Sequence, residues 1–351
     1  MAFLQIPNVH IKGIAACVPK KVVKNESLTN IFPQEELEKI INSVGIKERR
    51  IADASITASD LCMKAAEKLF ADLEIDRESI DVLIFMSQTS DYKIPATAPI
   101  LQQKLGLSKD CACFDVTLAC SGYVYALTTA FTYLNLPNVR RVLLLDGETF
   151  SKIVNPKDKT NALLYGDAGT ATLLEKKEGE HFSSLLKTDG SGWDAVMIKA
   201  GGCRVPTTHQ SFQEYEREDG SLGDDTQIYM NGIDVFNFTM KVVPKSIKEI
   251  TEKCEISTLE DIDKIIFHQA NKFMTDFFTK KLKYCSDNVP YSLDKFGNTS
   301  SATIPLTIVS ELKNWQSERK RVLISGFGAG LSWGAAILNL DGTHISDLQE
   351  I

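Results

Sequence analysis

The sequence is poor in the residue patterns that build metal sites. Five histidines are scattered over 351 residues, and none forms an H-x-x-x-H pair. Eight cysteines include no C-x-x-C pair, the closest spacing being Cys111-x-Cys113. A structural zinc site has little support on these spacings, and no metal is assigned. The cysteines are too sparse for a disulfide scaffold and read as thiols of a reducing compartment. Long apolar runs are also missing: no window approaches the ~18 residues that a membrane span requires. The opening MAFLQIPNVHIKG has neither a basic n-region nor an apolar h-region, so a cytoplasmic protein is expected. Positive charge is not in excess either. Acidic residues number 46 against 39 basic, a net charge of −7, which makes the chain a poor match for nucleic acid.

What is present fits an ordinary globular protein, with 43% apolar and 24% charged residues. At about 150 residues per domain the length suits two units or one large pseudo-symmetric one. Short β-branched runs alternate with helical stripes, which predicts an α/β architecture. VLIFM (Val82–Met86), RVLLLDG (Arg141–Gly147), KIIFHQ (Lys264–Gln269) and RVLISG (Arg321–Gly326) read as strands buried on both faces. Leu61, Ala65, Lys68 and Leu69 mark one helix; Val124, Leu127, Phe131 and Leu134 mark another. The polar, acidic stretch His209–Asp225 is the best candidate for an exposed insertion. Residues 141–174 and 321–340 share one plan, a buried strand, a Gly-rich turn, then a Gly/Ala-rich strand. This echo is compatible with duplicated halves.

Four motifs can carry chemistry. In Asp115-Val-Thr-Leu-Ala-Cys120-Ser-Gly a strand turns sharply into a helix. Cys120 then stands at a helix N-terminus, where the macrodipole favours thiolate over thiol. Small neighbours Ala119, Ser121 and Gly122 permit close approach of a substrate, as in a nucleophile elbow. In Ile265-Ile-Phe-His268-Gln-Ala-Asn271, His268 follows a buried strand, where ligands of α/β sheets usually bind. In Gly297-Asn298-Thr-Ser-Ser, the Gly-Asn pair suits a tight loop, and Thr299 to Ser301 are expected to cap a helix carrying Ile304, Ile308 and Leu312. In Ser325-Gly-Phe327-Gly328-Ala329-Gly330, the glycines alternate, so a dinucleotide fingerprint fails. Such a loop still lets backbone N–H groups face an oxyanion. Taken singly, these motifs leave a buried core thiol, a satisfied core histidine and an ordinary cap open.

Together, ACSG at Cys120, HQAN at His268, GNTS at Asn298 and GFGAGLSWG carry a family resemblance. From about Ile11 to Leu340 the chain resembles β-ketoacyl-acyl-carrier-protein synthase III, a condensing enzyme of the thiolase superfamily. The resemblance implies a five-layered αβαβα fold of two pseudo-repeated halves, residues 1–175 with the Cys and 176–351 with the His and Asn. It implies a ping-pong decarboxylative Claisen condensation. Cys120 takes the acyl group from a thioester, acyl-CoA or acyl-carrier. Malonyl on acyl carrier protein then loses CO₂, and its carbanion attacks the acyl-Cys. His268 Nε2 and the Asn298 amide are expected to hold the decarboxylation oxyanion, and the N–H groups of Cys120 and Ala329 the tetrahedral one.

Phe327 is expected to crowd the malonyl carboxylate with an apolar wall. Asn271 and Lys159 are expected to contact substrate, and Ile94 to cap the acyl pocket of a partner in a homodimer. No cofactor is implied. The family's coenzyme-A-gripping Trp and Arg are replaced here by Lys39 and Ser43, and another Arg by Lys159. Lysine binds phosphate but neither stacks nor forks as Arg does. These departures allow a housekeeping initiator of fatty-acid synthesis, or a specialised condensing enzyme or non-condensing acyltransferase of a secondary-metabolite or surface-polymer pathway. Lys272 and Lys280 are expected to dock the acidic carrier, opposite a buried stripe of Phe273, Met274, Phe277 and Phe278. A papain-like protease shares the Cys, His, Asn order but fails on the missing C-G-[SA]-C-[WY] signature. A non-enzymatic binding module is the remaining alternative.

Overall fold

The structure, a computed structural model, describes residues 2–217, 220–317 and 319–351. The main strands are β1 (Ala2–Val18), β2 (Val82–Met86), β3 (Ala112–Val116), β4 (Arg141–Thr149), β5 (Asp167–Thr188), β6 (Lys264–Phe267), β7 (Arg321–Gly328) and β8 (Ser332–Asn339). The helices are α1 (Gln34–Val44), α2 (Ala58–Leu73), α3 (Thr97–Lys104), α4 (Gly122–Leu134), α5 (Gly232–Lys253), α6 (Lys272–Leu282), α7 (Leu293–Phe296) and α8 (Thr303–Leu312).

The strands run in the order β6-β7-β8-β5-β4-β2-β3, with β1 alongside β5. The long β1 and β5 serve two sheets at once. Val9–Cys17 of β1 pairs with 169–176 of β5, whose other edge meets β4. Ala2–Pro7 pairs with 181–186, whose other edge meets β8. The register shifts between these segments, where Asn8 and Gly179 both take positive φ and the Gly179 N–H donates to Asn8 Oδ1 at 3.0 Å. Position 175 therefore falls inside a continuous strand, and the first residues of β1 belong to the second sheet.

Side-chain alternation along each strand builds the layers. Val142 and Leu144 of β4, with Val322 and Ile324 of β7, join one core around α4 and α8. Leu143 and Leu145 face α2 and α3. Leu323 and Phe327 face α5 and α6. The result is helix, sheet, helix, sheet, helix, the five layers expected. The two central helices are buried over most of their length, and their buried threonines satisfy themselves. Thr128 Oγ1 donates to the Val124 carbonyl at 2.7 Å, and Thr307 Oγ1 to that of Thr303 at 2.8 Å. Burying one large apolar side chain here stabilises the fold by about 1.5–3 kcal/mol, so a charge placed at Leu127 breaks the central layer.

The strands expected at Val82, Arg141 and Arg321 form, as do the helices through Leu61 and Val124. The two echoed segments are both antiparallel pairs, β4 with β5 and β7 with β8. Three local expectations are corrected. The strand at Lys264 ends at Phe267, because His268 turns off the sheet after one last bond to the Ser325 carbonyl at 2.8 Å. Thr299 to Ser301 do not cap α8; residues 300–302 form a tight 3₁₀ turn leading into it. The stretch 209–225 is exposed over much of its length, but Arg217 is buried and ion-paired with buried Asp158 at 3.0 Å. Residues 218 and 219 of that stretch lie outside the described residues.

Candidate active site

β3 ends at Val116, and the chain reaches α4 through a tight turn closed by the Gly122 N–H on the Ala119 carbonyl at 2.7 Å. Glycine is required at position 328: a Cβ there would stand 2.9 Å from the Cys120 nitrogen and 3.0 Å from its Cβ. The end of β7 thereby presses against the Cys120 turn. Ser332 Oγ fixes the contact, meeting Ser121 Oγ at 2.7 Å and donating to the Ala329 carbonyl at 2.9 Å. Cys120 Sγ lies 3.6 Å from Ser300 Oγ.

The resting sulfur is a thiol, against the expectation from its helix position. Burial pushes the Cys120 thiol up to about 12, and the buried carboxyls Glu148 and Asp146 push the same way. The Ser300 hydroxyl and the Cys120 N–H offset only part of this. A helix N-terminus contributes at most about 2 kcal/mol, and one pKa unit is about 1.4 kcal/mol, so desolvation wins.

His268 is buried, and burial lowers its pKa to about 3 although the Ser300 carbonyl raises it. The ring is therefore neutral. Its Nδ1 lies 2.8 Å from Thr303 Oγ1, and that hydroxyl donates to the Ser300 carbonyl at 2.9 Å. Assigned from this chain of donors, the ring proton sits on Nδ1, and Nε2 is an acceptor in the resting state. Asn298 is fixed by similar logic. Its Oδ1 accepts the Ser300 N–H at 2.8 Å, which leaves the Nδ2 amide as the available donor. Its backbone is tied to the 164–166 segment, N–H to the Leu164 carbonyl at 2.8 Å and carbonyl to the Gly166 N–H at 3.1 Å.

Cys120, His268, Asn298, Asn271 and Ala329 line one cavity of about 170 Å³. Phe327 is buried beside it, its ring edge-on to the imidazole with centroids 5.2 Å apart. Asn271 uses its Oδ1 to cap α6, accepting the Met274 N–H at 2.8 Å. Ile94 stands out at 88% exposure. Lys159 is exposed next to the buried Asp158–Arg217 pair. Lys272, Lys280 and Lys283 share one groove beside α6, and Lys272 is ion-paired with Asp276 rather than free. Phe273 corrects the buried stripe. It is 54% exposed and packs on Phe236 at 5.8 Å, while Met274 and Phe278 are buried.

The motifs did not mark Ser300 and Thr303 as site residues. Ser300 reads as part of a helix cap and Thr303 is not singled out; only the turn at 300–302 brings their hydroxyls to Cys120 and His268. Glu148 was missed too. It is raised to about 7 by burial and accepts from the N–H groups of Gln88 and Thr89 at 3.0 and 3.1 Å, holding a loop on the cavity rim.

Family comparison agrees with this geometry. The model of 3-oxoacyl-[acyl-carrier-protein] synthase III matches residues 114–190, and that of its C-terminal part matches 254–340. The β-ketoacyl-[acyl-carrier-protein] synthase III of Caldanaerobacter subterraneus is 34% identical over 93% of this chain and 96% of its own. The chain belongs to the β-ketoacyl-[acyl-carrier-protein] synthase III family. The synthase III of Clostridium acetobutylicum is 36% identical over 94% of this chain and 98% of its own. A crystal structure of a 3-oxoacyl-(acyl-carrier protein) synthase from Burkholderia xenovorans superposes with a TM-score of 0.93 at 37% identity, covering 100% of this chain and 99% of that one. As a synthase III, this chain is a condensing acyltransferase on the thiolase fold.

Proposed function

We propose that this chain performs the decarboxylative condensation that initiates fatty-acid synthesis, joining an acyl thioester to malonyl-acyl carrier protein. The observation that carries the reading is the single cavity shared by Cys120, His268, Asn298 and Ala329. Cys120 Sγ attacks the acyl carbonyl, and its proton passes to His268 Nε2. The N–H groups of Cys120 and Ala329 receive the oxyanion. The tetrahedral intermediate collapses, and the departing thiol takes the proton back.

Malonyl-carrier then binds and loses CO₂, which places an electron pair on the thioester enolate. Asn298 Nδ2 donates to the enolate oxygen. So does His268 Nε2 in the ring's other tautomer, reached when solvent takes the Nδ1 proton and returns one to Nε2 while the Thr303 hydroxyl turns to donate to Nδ1. The carbanion attacks the acyl-Cys, freeing Cys120 and the β-ketoacyl thioester. Phe327, packed against His268, keeps this end of the site apolar and disfavours the malonyl carboxylate's charge. The route uses the protein's own groups and its thioester substrates, with no resident cofactor.

Lys159 supplies a cation for coenzyme A phosphates, and the Lys272 and Lys280 groove receives the acidic carrier. The protein acts as a homodimer through the free edge of β3, sending Ile94 toward its partner's pocket. Eight unpaired cysteines support a cytoplasmic setting. Release of CO₂ and β-ketoacyl-carrier from malonyl-carrier after acyl-CoA priming tests the reading. An enzyme that consumes acyl-CoA without forming either product overturns it.

A further inference from the structure

We infer that Tyr165 selects a short acyl donor that bears an oxygen on its chain, a hydroxyacyl or oxoacyl thioester. This rests on the condensing reading and deepens it. Tyr165 is 5% exposed and lines the Cys120 cavity, its ring stacked on Phe150 at 4.9 Å. Among the described residues its hydroxyl has no hydrogen-bond partner. Other enclosed tyrosines of this chain behave differently. Tyr123 Oη meets Thr172 Oγ1 at 3.1 Å, Tyr125 Oη donates to the Lys187 carbonyl at 2.7 Å, and Tyr284 Oη to that of Ile262 at 2.7 Å. Buried tyrosine hydroxyls usually find a partner, and one that lines a substrate cavity without a protein partner is available to a polar atom of the ligand.

The surrounding wall is apolar, made by Phe150, Leu164, Val196 and Met230. Beyond the catalytic residues and the helix-capping Asn271, Gln88 is the other polar side chain lining the cavity. A hydrocarbon chain would leave the Tyr165 hydroxyl unpaired, whereas a chain hydroxyl or keto oxygen would pair with it. The cavity of about 170 Å³ sets the length. A cavity of roughly 150 Å³ accommodates benzene, so an acyl group of about six heavy atoms fits.

The test compares Cys120 acylation by butyryl-CoA with that by its 3-hydroxy and 4-hydroxy analogues, read by intact mass over time. The expected result is an acylation kcat/KM about tenfold higher for at least one hydroxyacyl donor. In Tyr165→Phe that ratio should fall to near one. Equal or faster acylation by butyryl-CoA in the natural protein overturns the inference, as does a hydroxyacyl preference that survives Tyr165→Phe. Failure of Cys120 to accept any acyl group, acetyl included, sinks the condensing reading and this inference with it. Acylation without discrimination sinks only the inference.

Discussion

Cys120 and Ser300 are 180 residues apart in sequence and meet side chain to side chain at 3.6 Å. Each stands just ahead of one of the two central helices, α4 and α8. The contact joins the starts of these two helices at the cavity that Cys120 lines. Ser300 also gives its N–H to Asn298 and its carbonyl to Thr303, which in turn holds His268. One tight turn thereby contacts Cys120, Asn298 and, through Thr303, His268.

Because burial pushes the Cys120 thiol up to about 12 and His268 down to about 3, the proposed acylation at neutral pH runs through Nε2 taking the thiol proton. His268→Ala should still be acylated, but only through the rare thiolate. Below the thiol pKa that fraction rises about tenfold per pH unit, so the variant's acylation rate should climb steeply between pH 7 and 10. The natural enzyme should show a much flatter profile over that range. Parallel profiles would mean that His268 is not the base.

Asn298→Ala should separate the half-reactions. In the proposed mechanism the amide takes no part in acyl transfer to Cys120, so acylation should proceed at close to the natural rate. Decarboxylation of malonyl-carrier loses one oxyanion donor and should fall by about 10²–10³-fold. Stopped-flow acylation and CO₂ release, measured on the same preparation, check both halves.

The core motifs were legible because chemistry and fold demand the same residues there. Gly328 is needed for Cys120 to be approached, and His268 and Asn298 each follow a strand or turn that leaves them facing the cavity. Protonation was not legible: a helix start favours thiolate, but desolvation of Cys120 is a property of the packed neighbours. Helix faces were only partly legible. The period places Phe273 near Met274 and Phe278, yet the sheet covers only part of that face and leaves Phe273 on Phe236 at the surface. Ser300 read as a cap and Thr303 went unmarked because their partners, Cys120 and His268, are distant in sequence. The passage of β5 from one sheet into the other was hidden for the same reason.

The proposed homodimer pairs two chains through β3, the last strand in the sheet order, with Tyr92 and Ile94 exposed for contact. Light scattering at micromolar concentration should give twice the mass of one chain. Ile94→Asp should weaken association and slow acylation by longer donors. A stable single chain in the natural protein contradicts the assignment.

Carrier docking at the α6 groove makes an ionic prediction. Lys272→Glu with Lys280→Glu should raise the KM for malonyl-carrier severalfold, and the defect should shrink as salt rises to a Debye length of about 3 Å near 1 M. Because Lys272 is ion-paired with Asp276, Lys280→Glu alone should carry the larger share. Acylation by free acyl-CoA should change little.

The central claim is that Cys120 carries the acyl group between the two substrates. Intact-mass analysis after acyl-CoA treatment should show one acyl adduct mapping to Cys120, lost on adding malonyl-carrier with release of one CO₂. Cys120→Ala should remain folded and take no adduct. An adduct that persists in Cys120→Ala, or maps to Cys111 or Cys113, would contradict the account.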